Sequence, residues 1–266
     1  MTFRRFRILI LLGVLAAAIS LTWLEQTLVR GWNAPLDVAV IPINGDGSEQ
    51  AAETIRALQA SDFSDINTFL QRETARYGVK QQQAMHITLL PELSKQPPAP
   101  PHDHSVLKTI GWCLQLRWWV YQQSGQLLPQ LGRIKLFVLY HAPQDGVALE
   151  HSLGLQKGLI GVVHAFADPR QAQQNNIVIA HELLHALGAT DKYGAGGRPV
   201  YPQGYAEPDW PENMPRTAAE IMAGRYVNAA GNIVMPPSLE QCVIGAQTAH
   251  EINVDAGFRQ QYASSN

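Results

Sequence analysis

Two patterns of apolar residues alternate along the chain. Continuous apolar runs rich in β-branched residues predict strands over Leu36–Ile43, Met85–Leu90, Ile134–Tyr140 and Leu159–Phe166. Apolar residues repeated at helical intervals predict helices over Ser48–Gln59, from Ser61 or Asp62 to Tyr77, over Ser105–Gln123, over Asn175–Leu187, and from Ser238 to about Ile252. The alternation predicts a domain in which helices pack on a sheet.

The first 30 residues differ from the rest of the chain. Three arginines, Arg4, Arg5 and Arg7, precede an uncharged apolar run over residues 8–24, which predicts a transmembrane helix. The positive-inside rule makes residues 1–30 a cytoplasmic stub and signal anchor and puts residues 31–266 outside the cytoplasm, facing the periplasm at a bacterial inner membrane. Small residues at Ala16–Ala18 leave cleavage and secretion as the alternative.

Composition and charge narrow the class of partner. With 266 residues, of which 46% are hydrophobic and 16% charged, the chain can bury one substantial core. Residues 1–30 hold four arginines and one glutamate, so residues 31–266 retain 16 basic and 21 acidic side chains. This acidic balance argues against a nucleic-acid partner. The two cysteines, Cys113 and Cys242, fit either one disulfide or two buried thiols.

A long Gly/Pro/Tyr-rich stretch covers residues 193–215. Connections of this length in a compact domain are often functional rims, so the stretch is expected to border a cleft. Tyr205 is a candidate lining residue there. Its alternative role is to anchor the loop by burying its ring.

The run HELLHALGATD, from His181 to Asp191, carries the candidate chemistry. His181 and His185 are four residues apart, so on a helix both rings leave the same face and can bind one metal ion. Glu182 can take a proton from a metal-activated water. Gly188 can adopt the left-handed conformation that ends the helix and turns the chain, which brings Asp191 back towards the ion.

The competing interpretation is a helix with two core histidines and a solvated Glu182. It explains less, because other residues already give this helix a buried apolar stripe. These are Ile177, Val178, Ala180, Leu183, Leu184 and Leu187. The histidines are therefore not needed for packing.

The extended motif HExxHxxGxxH/D resembles that of the metzincin clan of zinc endopeptidases. Most metzincins have a third histidine at the last position, while a branch similar to the snapalysins has an aspartate, as here at Asp191. The resemblance implies one catalytic Zn²⁺ held by His181, His185 and Asp191, with Glu182 as the general base.

The resemblance also implies an α+β fold behind the N-terminal transmembrane helix. Its parts would be a mixed twisted sheet with an antiparallel edge strand, an active-site helix and a C-terminal helix, with an upper lobe up to about residue 188 and a lower lobe over residues 189–266. An extended substrate would pair with the edge strand, for which Glu150–Leu155 and Leu159–His164 are the two candidates. Of the isolated histidines, His164 is expected nearest to the cleft.

The segment Ala219–Gly224 resembles the Met-turn of the same clan, with Met222 located 31 residues after Asp191. Glu220 is the one rival to Asp191 as third ligand, because another class of zinc protease uses a downstream glutamate. Beyond the turn, Arg225 or Tyr226 could contact the transition state, with surface packing as the alternative.

Together these features predict a zinc-dependent endopeptidase in which a metal-activated water attacks peptide bonds. The predicted partners are a peptide or protein substrate and, through the N-terminal helix, a membrane. Two alternatives stay open. One is a membrane-anchored binding or assembly protein with a structural or relict zinc site, and the other is a zinc hydrolase of non-peptide amides.

Overall fold

The computed structural model describes residues 27–101, 106–123, 132–143, 152–155 and 159–255, with a few single positions before residue 27. The strands of the central sheet are β1 (Leu36–Asn44), β2 (Met85–Leu89), β3 (Ile134–His141), β4 (Leu153–Leu155) and β5 (Ile160–Phe166). The helices are α1 (Glu49–Ala57), α2 (Ser64–Arg76), α3 (Val106–Gln122), α4 (Ala172–Leu187) and α5 (Ala246–Glu251). Two small two-stranded sheets pair β6 (Ala219–Glu220) with β9 (Cys242–Val243) and β7 (Tyr226–Val227) with β8 (Ile233–Val234).

The five-stranded sheet has the order β2-β1-β3-β5-β4. β2, β1, β3 and β5 run parallel, whereas β4 is antiparallel to β5 and forms one edge. The edge strand therefore lies within the first of the two predicted segments, and the second segment forms the inner parallel strand β5. Parallel strands are covered on both faces, which is why β1 and β3 read as continuous apolar runs.

Each face of the sheet has its own apolar core, because successive side chains of a strand point to opposite faces. On one face, Val38 and Val138 pack with residues from α1, α2 and α4. On the other face, Ile41 and Phe137 pack with apolar residues of α3. The result is three layers, with α4 and α3 on opposite sides of the sheet.

The prediction of an α+β fold with an N-terminal transmembrane helix is corrected by two findings. The architecture is α/β, because helices lie on both faces of a mainly parallel sheet. In the part of the chain that the structure describes, no helix combines the length and the apolar character needed to cross a membrane. Most of the predicted span, residues 8–24, lies outside the described residues.

The predicted C-terminal helix is also corrected, since only Ala246–Glu251 is α-helical. Ser238 instead caps a short 3-10 turn, and Cys242–Val243 pairs with β6. The α5 helix contacts the start of the domain: Trp32 Nε1 donates to the carbonyl oxygen of Ile252 at 2.7 Å. Arg30 donates to the carbonyl oxygen of Glu251 at 2.6 Å.

The two cysteines are free thiols in separate cores. Cys242 is fully buried in the core that includes α4, whereas Cys113 packs against the core on the α3 side of the sheet. Burial raises the pKa of Cys242 to about 12. The thiol is therefore protonated and unreactive at neutral pH.

Candidate metal centre

Helix α4 begins close to the carboxyl end of β5 and is fixed there by Asn175. The side-chain amide of Asn175 donates to the carbonyl oxygen of Phe166 at 2.9 Å and its oxygen accepts the Phe166 N–H at 3.0 Å. The helix also packs closely on strand β5 at Gly161. A Cβ atom at Gly161 would lie 2.6 Å from Leu136 Cδ2 and 3.7 Å from Glu182 Cβ. The absence of a side chain at Gly161 therefore allows the helix to approach the sheet at Glu182.

The two histidines of α4 share one face of the helix, with ring centroids 4.7 Å apart. Nδ1 of His181 lies 2.9 Å from the carbonyl oxygen of Ile221, and Nδ1 of His185 lies 2.8 Å from that of Ala189. A carbonyl oxygen can only accept, so each Nδ1 carries the hydrogen. In the neutral rings, both Nε2 atoms thus present a lone pair, as metal-binding histidines require.

Asp191 completes the group. Helix α4 ends at Leu187, and Gly188 has a left-handed backbone with a φ of 112° that reverses the chain. Asp191 Oδ1 then lies 3.1 Å from Nε2 of His181 and 3.0 Å from Nε2 of His185. Two imidazole nitrogens and one carboxylate oxygen therefore converge on a single point.

This convergence requires positive charge, because two lone pairs and a carboxylate oxygen repel one another. A proton on an imidazole or a metal ion can supply it. The hydrogen bond to Asp191 and the charge of Glu182 outweigh burial and raise the pKa of His185. Although burial favours the neutral acid, the two histidines hold the pKa of Asp191 well below its usual range. The ligand atoms of a tetrahedral zinc ion lie about 3.3 Å apart. The distances from Asp191 Oδ1 to the two Nε2 atoms, 3.1 Å and 3.0 Å, are close to this value.

Glu182 lies beside this group, and His181, Glu182 and His185 together could hold a metal ion. The Glu182 side chain is 3% exposed, and its Oε2 makes no hydrogen bond with any described residue. Burial raises the pKa of Glu182, and the negative charge of Asp191 adds to that rise, while the two histidines oppose it. A buried carboxylate with an unpartnered oxygen beside two imidazole rings is suited to accept a proton.

A tight turn over residues 220–224 lies against His181, on the Nδ1 side of its ring. Glu220 is fully buried, and its Oε2 accepts the backbone N–H of Met222 at 2.7 Å and of Ala223 at 3.1 Å. Its Oε1 accepts from Thr248 Oγ1 at 2.7 Å and from the Gly245 N–H at 3.2 Å. Both carboxylate oxygens are therefore occupied in shaping the turn, which removes Glu220 as a rival third ligand.

The segment that carries Asp191 is held by the C-terminal helix. The Glu251 carboxylate accepts from the Thr190 backbone N–H at 2.8 Å and from the Thr190 hydroxyl at 2.9 Å. The buried Lys192 ammonium lies 2.8 Å from Glu251 Oε2. Contacts on both sides of Asp191 thus fix its backbone, although its own side chain is 44% exposed.

A cavity of 680 Å³ opens next to His181 and Glu182. One side is formed by β5 and the neighbourhood of the edge strand, with His164 and Ser152, and the other by the turn over Ala195–Gly197 and by residues 223–225. The cavity is large enough for a substrate segment of several residues.

Tyr193 is a cavity residue that the sequence did not single out. Its ring centroid lies 6.4 Å from that of His181. Burial and the negative charges of Asp191 and Glu182 raise the pKa of Tyr193, so the phenol keeps its proton at neutral pH. Its position two residues after Asp191 was the sequence feature that could have identified it.

The structure places the three remaining candidates differently. His164 lines the cavity, and its Nδ1 lies 3.0 Å from Nε2 of His141. Tyr226 pairs with Val234 in the β7–β8 hairpin. It is not among the described residues that line the cavity. Tyr205 is buried, and the Arg216 guanidinium carbon lies 5.2 Å from the centroid of its ring. Tyr205 therefore anchors the loop over residues 193–215 instead of lining the cavity.

No protein-family model and no curated protein sequence matches the chain. Among solved structures, the chain is similar to a chaperone–substrate complex, with 13% identity, a TM-score of 0.41, and coverage of 86% of this chain and 35% of that chain. It is also similar to wild-type OgpA from Akkermansia muciniphila, with 12% identity, a TM-score of 0.42, and coverage of 84% and 62%. Catalytically inactive OgpA in complex with an O-glycopeptide substrate gives 11% identity, a TM-score of 0.37, and coverage of 84% and 61%. The chain spans less than two thirds of the length of each of these structures.

Proposed function

We propose that the protein is a metzincin-like, zinc-dependent endopeptidase. The observation that carries the proposal is the convergence of His181 Nε2, His185 Nε2 and Asp191 Oδ1 at separations of 3.0–3.1 Å to the carboxylate, next to the unpartnered buried Oε2 of Glu182. Two members of this group, His181 and Glu182, line the 680 Å³ cavity, which gives a substrate room to reach them. The left-handed Gly188 and the tight turn at Met222 add support, since both belong to the sequence pattern of that clan.

In this proposal, His181, His185 and Asp191 would hold the Zn²⁺. The two carbonyl oxygens that accept from the Nδ1 atoms fix the ring orientations. A bound zinc ion would supply Lewis-acid activation of a water molecule and of the substrate carbonyl. Zinc suits the mixed imidazole and carboxylate ligands better than calcium or magnesium, which prefer oxygen ligands alone.

The protein residues carry out the proton transfers. Glu182 takes the proton from the attacking water and then delivers it to the leaving amine. Its buried position suits this cycle, because a carboxyl group screened from solvent can hold the proton between the two steps. The Tyr193 hydroxyl, protonated at neutral pH, donates a hydrogen bond to the developing negative charge on the substrate oxygen.

The experiment is a zinc measurement combined with digestion of a quenched fluorescent peptide library. Glu182→Ala should keep one zinc ion per chain and lose hydrolysis by a factor of at least about 10³, while the exposed Glu53→Ala on α1 should behave as the wild type. Full activity in Glu182→Ala contradicts the mechanism. Zinc binding by the wild type without turnover of any peptide contradicts the peptidase proposal and favours a structural zinc site.

A further inference from the structure

A second charged side chain lines the cavity besides Glu182. It is Arg225, which follows the turn at Met222. In the described ranges, no carboxylate forms an ion pair with the exposed Arg225, whereas two buried cations of the same region are paired. Lys192 bonds to Glu251 at 2.8 Å, and Arg216 lies 3.4 Å from Glu207. Arg225 thus brings an unneutralised positive charge to the cavity.

Arg225 is positioned by the glycines around it. A Cβ atom at Gly197 would lie 3.6 Å from its Nη1 and 3.7 Å from its Cδ, so the side chain rests against the Gly197 backbone. Gly197 has a φ of 73°, and Gly224, immediately before Arg225, has a φ of 66°. Both conformations favour glycine, so the backbone on either side of the Arg225 side chain is set at residues without a side chain of their own.

The positive charge and the planar shape of the Arg225 guanidinium indicate which chemical group it can bind. Residues 31–266 hold 16 basic and 21 acidic side chains, so Arg225 contributes a positive charge to the cavity of a domain that is acidic overall. A guanidinium group is planar and binds carboxylates through two parallel hydrogen bonds. Carboxylates are also the anionic groups that unmodified peptides carry.

We propose that Arg225 binds a carboxylate of the substrate and makes the enzyme prefer peptides with an acidic group close to the cleaved bond. This inference rests on the proposed peptidase function and deepens it. The carboxylate can belong to an aspartate or glutamate side chain or to the chain terminus.

The first test measures binding, so that it does not depend on turnover. Full-length Glu182→Ala protein loaded with zinc is titrated into labelled peptide pairs that differ as Glu against Gln at one position, or as free acid against amide at the end. We expect the acidic member of one pair to bind about tenfold more tightly. The pair that discriminates identifies the source of the carboxylate. Adding Arg225→Gln should abolish the difference.

The matched control is Arg198→Gln, because Arg198 is exposed in the neighbouring loop but does not line the cavity. It should leave the preference unchanged. Charge reversal in Arg225→Glu should transfer the preference to peptides that carry lysine at the same position. In the active enzyme, the ratio of kcat/KM between the paired peptides should follow the same order.

Equal binding of both members of every pair overturns the proposal, and so does the absence of measurable binding to all of them. An equal weakening of acidic and neutral peptides by Arg225→Gln also overturns it, because that result indicates a packing role. Failure of the peptidase function is distinct: the wild type then cleaves no peptide, while the binding titrations still report on Arg225.

Discussion

His181 Nδ1 lies 2.9 Å from the carbonyl oxygen of Ile221, the residue just before Met222. This contact joins helix α4 to the turn that the Glu220 carboxylate stabilises by accepting the Met222 N–H. The turn therefore sets the orientation of the first imidazole, and the buried carboxylate of Glu220 acts on the candidate metal site through the backbone rather than as a ligand.

Glu220→Ala should destabilise the protein and weaken zinc binding. It leaves the backbone N–H groups of Met222 and Gly245 and the Thr248 hydroxyl without their buried acceptor. Each such loss costs about 1–3 kcal/mol, so the free energy of unfolding should fall by about 3 kcal/mol or more. Urea unfolding and a zinc titration measure the two effects. The exposed Glu240→Ala serves as control, and an unchanged stability in Glu220→Ala would contradict this role.

Asp191→Ala should lower the affinity for zinc by more than about 100-fold, since even the loss of a group that only orients a ligand costs roughly 10–100-fold. Asp191→His should restore much of the affinity, because imidazole is an equally suitable zinc ligand. Competition with a chelator of known affinity measures both variants. If Asp191→Ala binds zinc like the wild type, the third ligand lies elsewhere.

Tyr193→Phe should reduce kcat by about 10–100-fold and leave KM and the zinc content nearly unchanged. The reason is that a hydrogen bond made mainly in the transition state contributes to kcat and not to substrate binding. Steady-state kinetics and metal analysis measure these quantities. Tyr201→Phe, in the neighbouring loop and outside the cavity lining, is the control. A rise in KM at constant kcat would indicate a binding role instead.

Glu251→Gln should destabilise the protein at neutral pH but have little effect in acid. Burial would raise the pKa of Glu251, but hydrogen bonds from Lys192 and Thr190 outweigh it and lower that pKa below the usual value of 4.5. The carboxylate of Glu251 therefore contributes stability above about pH 4.5, and the contribution is lost as the pH falls through the folded-state pKa.

Urea unfolding of the wild type and of Glu251→Gln between pH 3 and pH 7 tests this sign. The difference in free energy of unfolding should be about 1–2 kcal/mol at pH 7 and should approach zero at pH 3. Gln247→Ala on the same helix is the control, because its amide adds a single hydrogen bond to Glu251. A difference that grows in acid would contradict the direction of the pKa shift.

The local parts of this structure followed from sequence spacing. The four-residue interval between His181 and His185 fixes their common helix face, and Gly188 marks the helix end in both the sequence and the structure. The inner strands β1, β3 and β5 were predictable because buried parallel strands read as unbroken apolar runs.

The remaining features depend on contacts between distant parts of the chain. The parallel pairing of β1 with β3 joins segments about a hundred residues apart, so strand direction, and with it the α/β class, does not follow from local periodicity. Cys242–Val243 forms a strand only because β6 lies beside it, which shortened the predicted last helix. Tyr193 reaches the cavity only after the chain has reversed beyond Gly188.

The contacts around Glu251 determine when the residues of the candidate metal site can be held together during synthesis. His181, His185 and Asp191 leave the ribosome well before residue 251, yet the Asp191 segment is held through Thr190 and Lys192 to Glu251. The guanidinium of Arg30 also donates to the carbonyl oxygen of Glu251 at this end of α5. A nascent chain that stops short of α5 therefore carries both imidazoles without a fixed carboxylate, so tight metal binding should appear as one of the last events in the maturation of the domain.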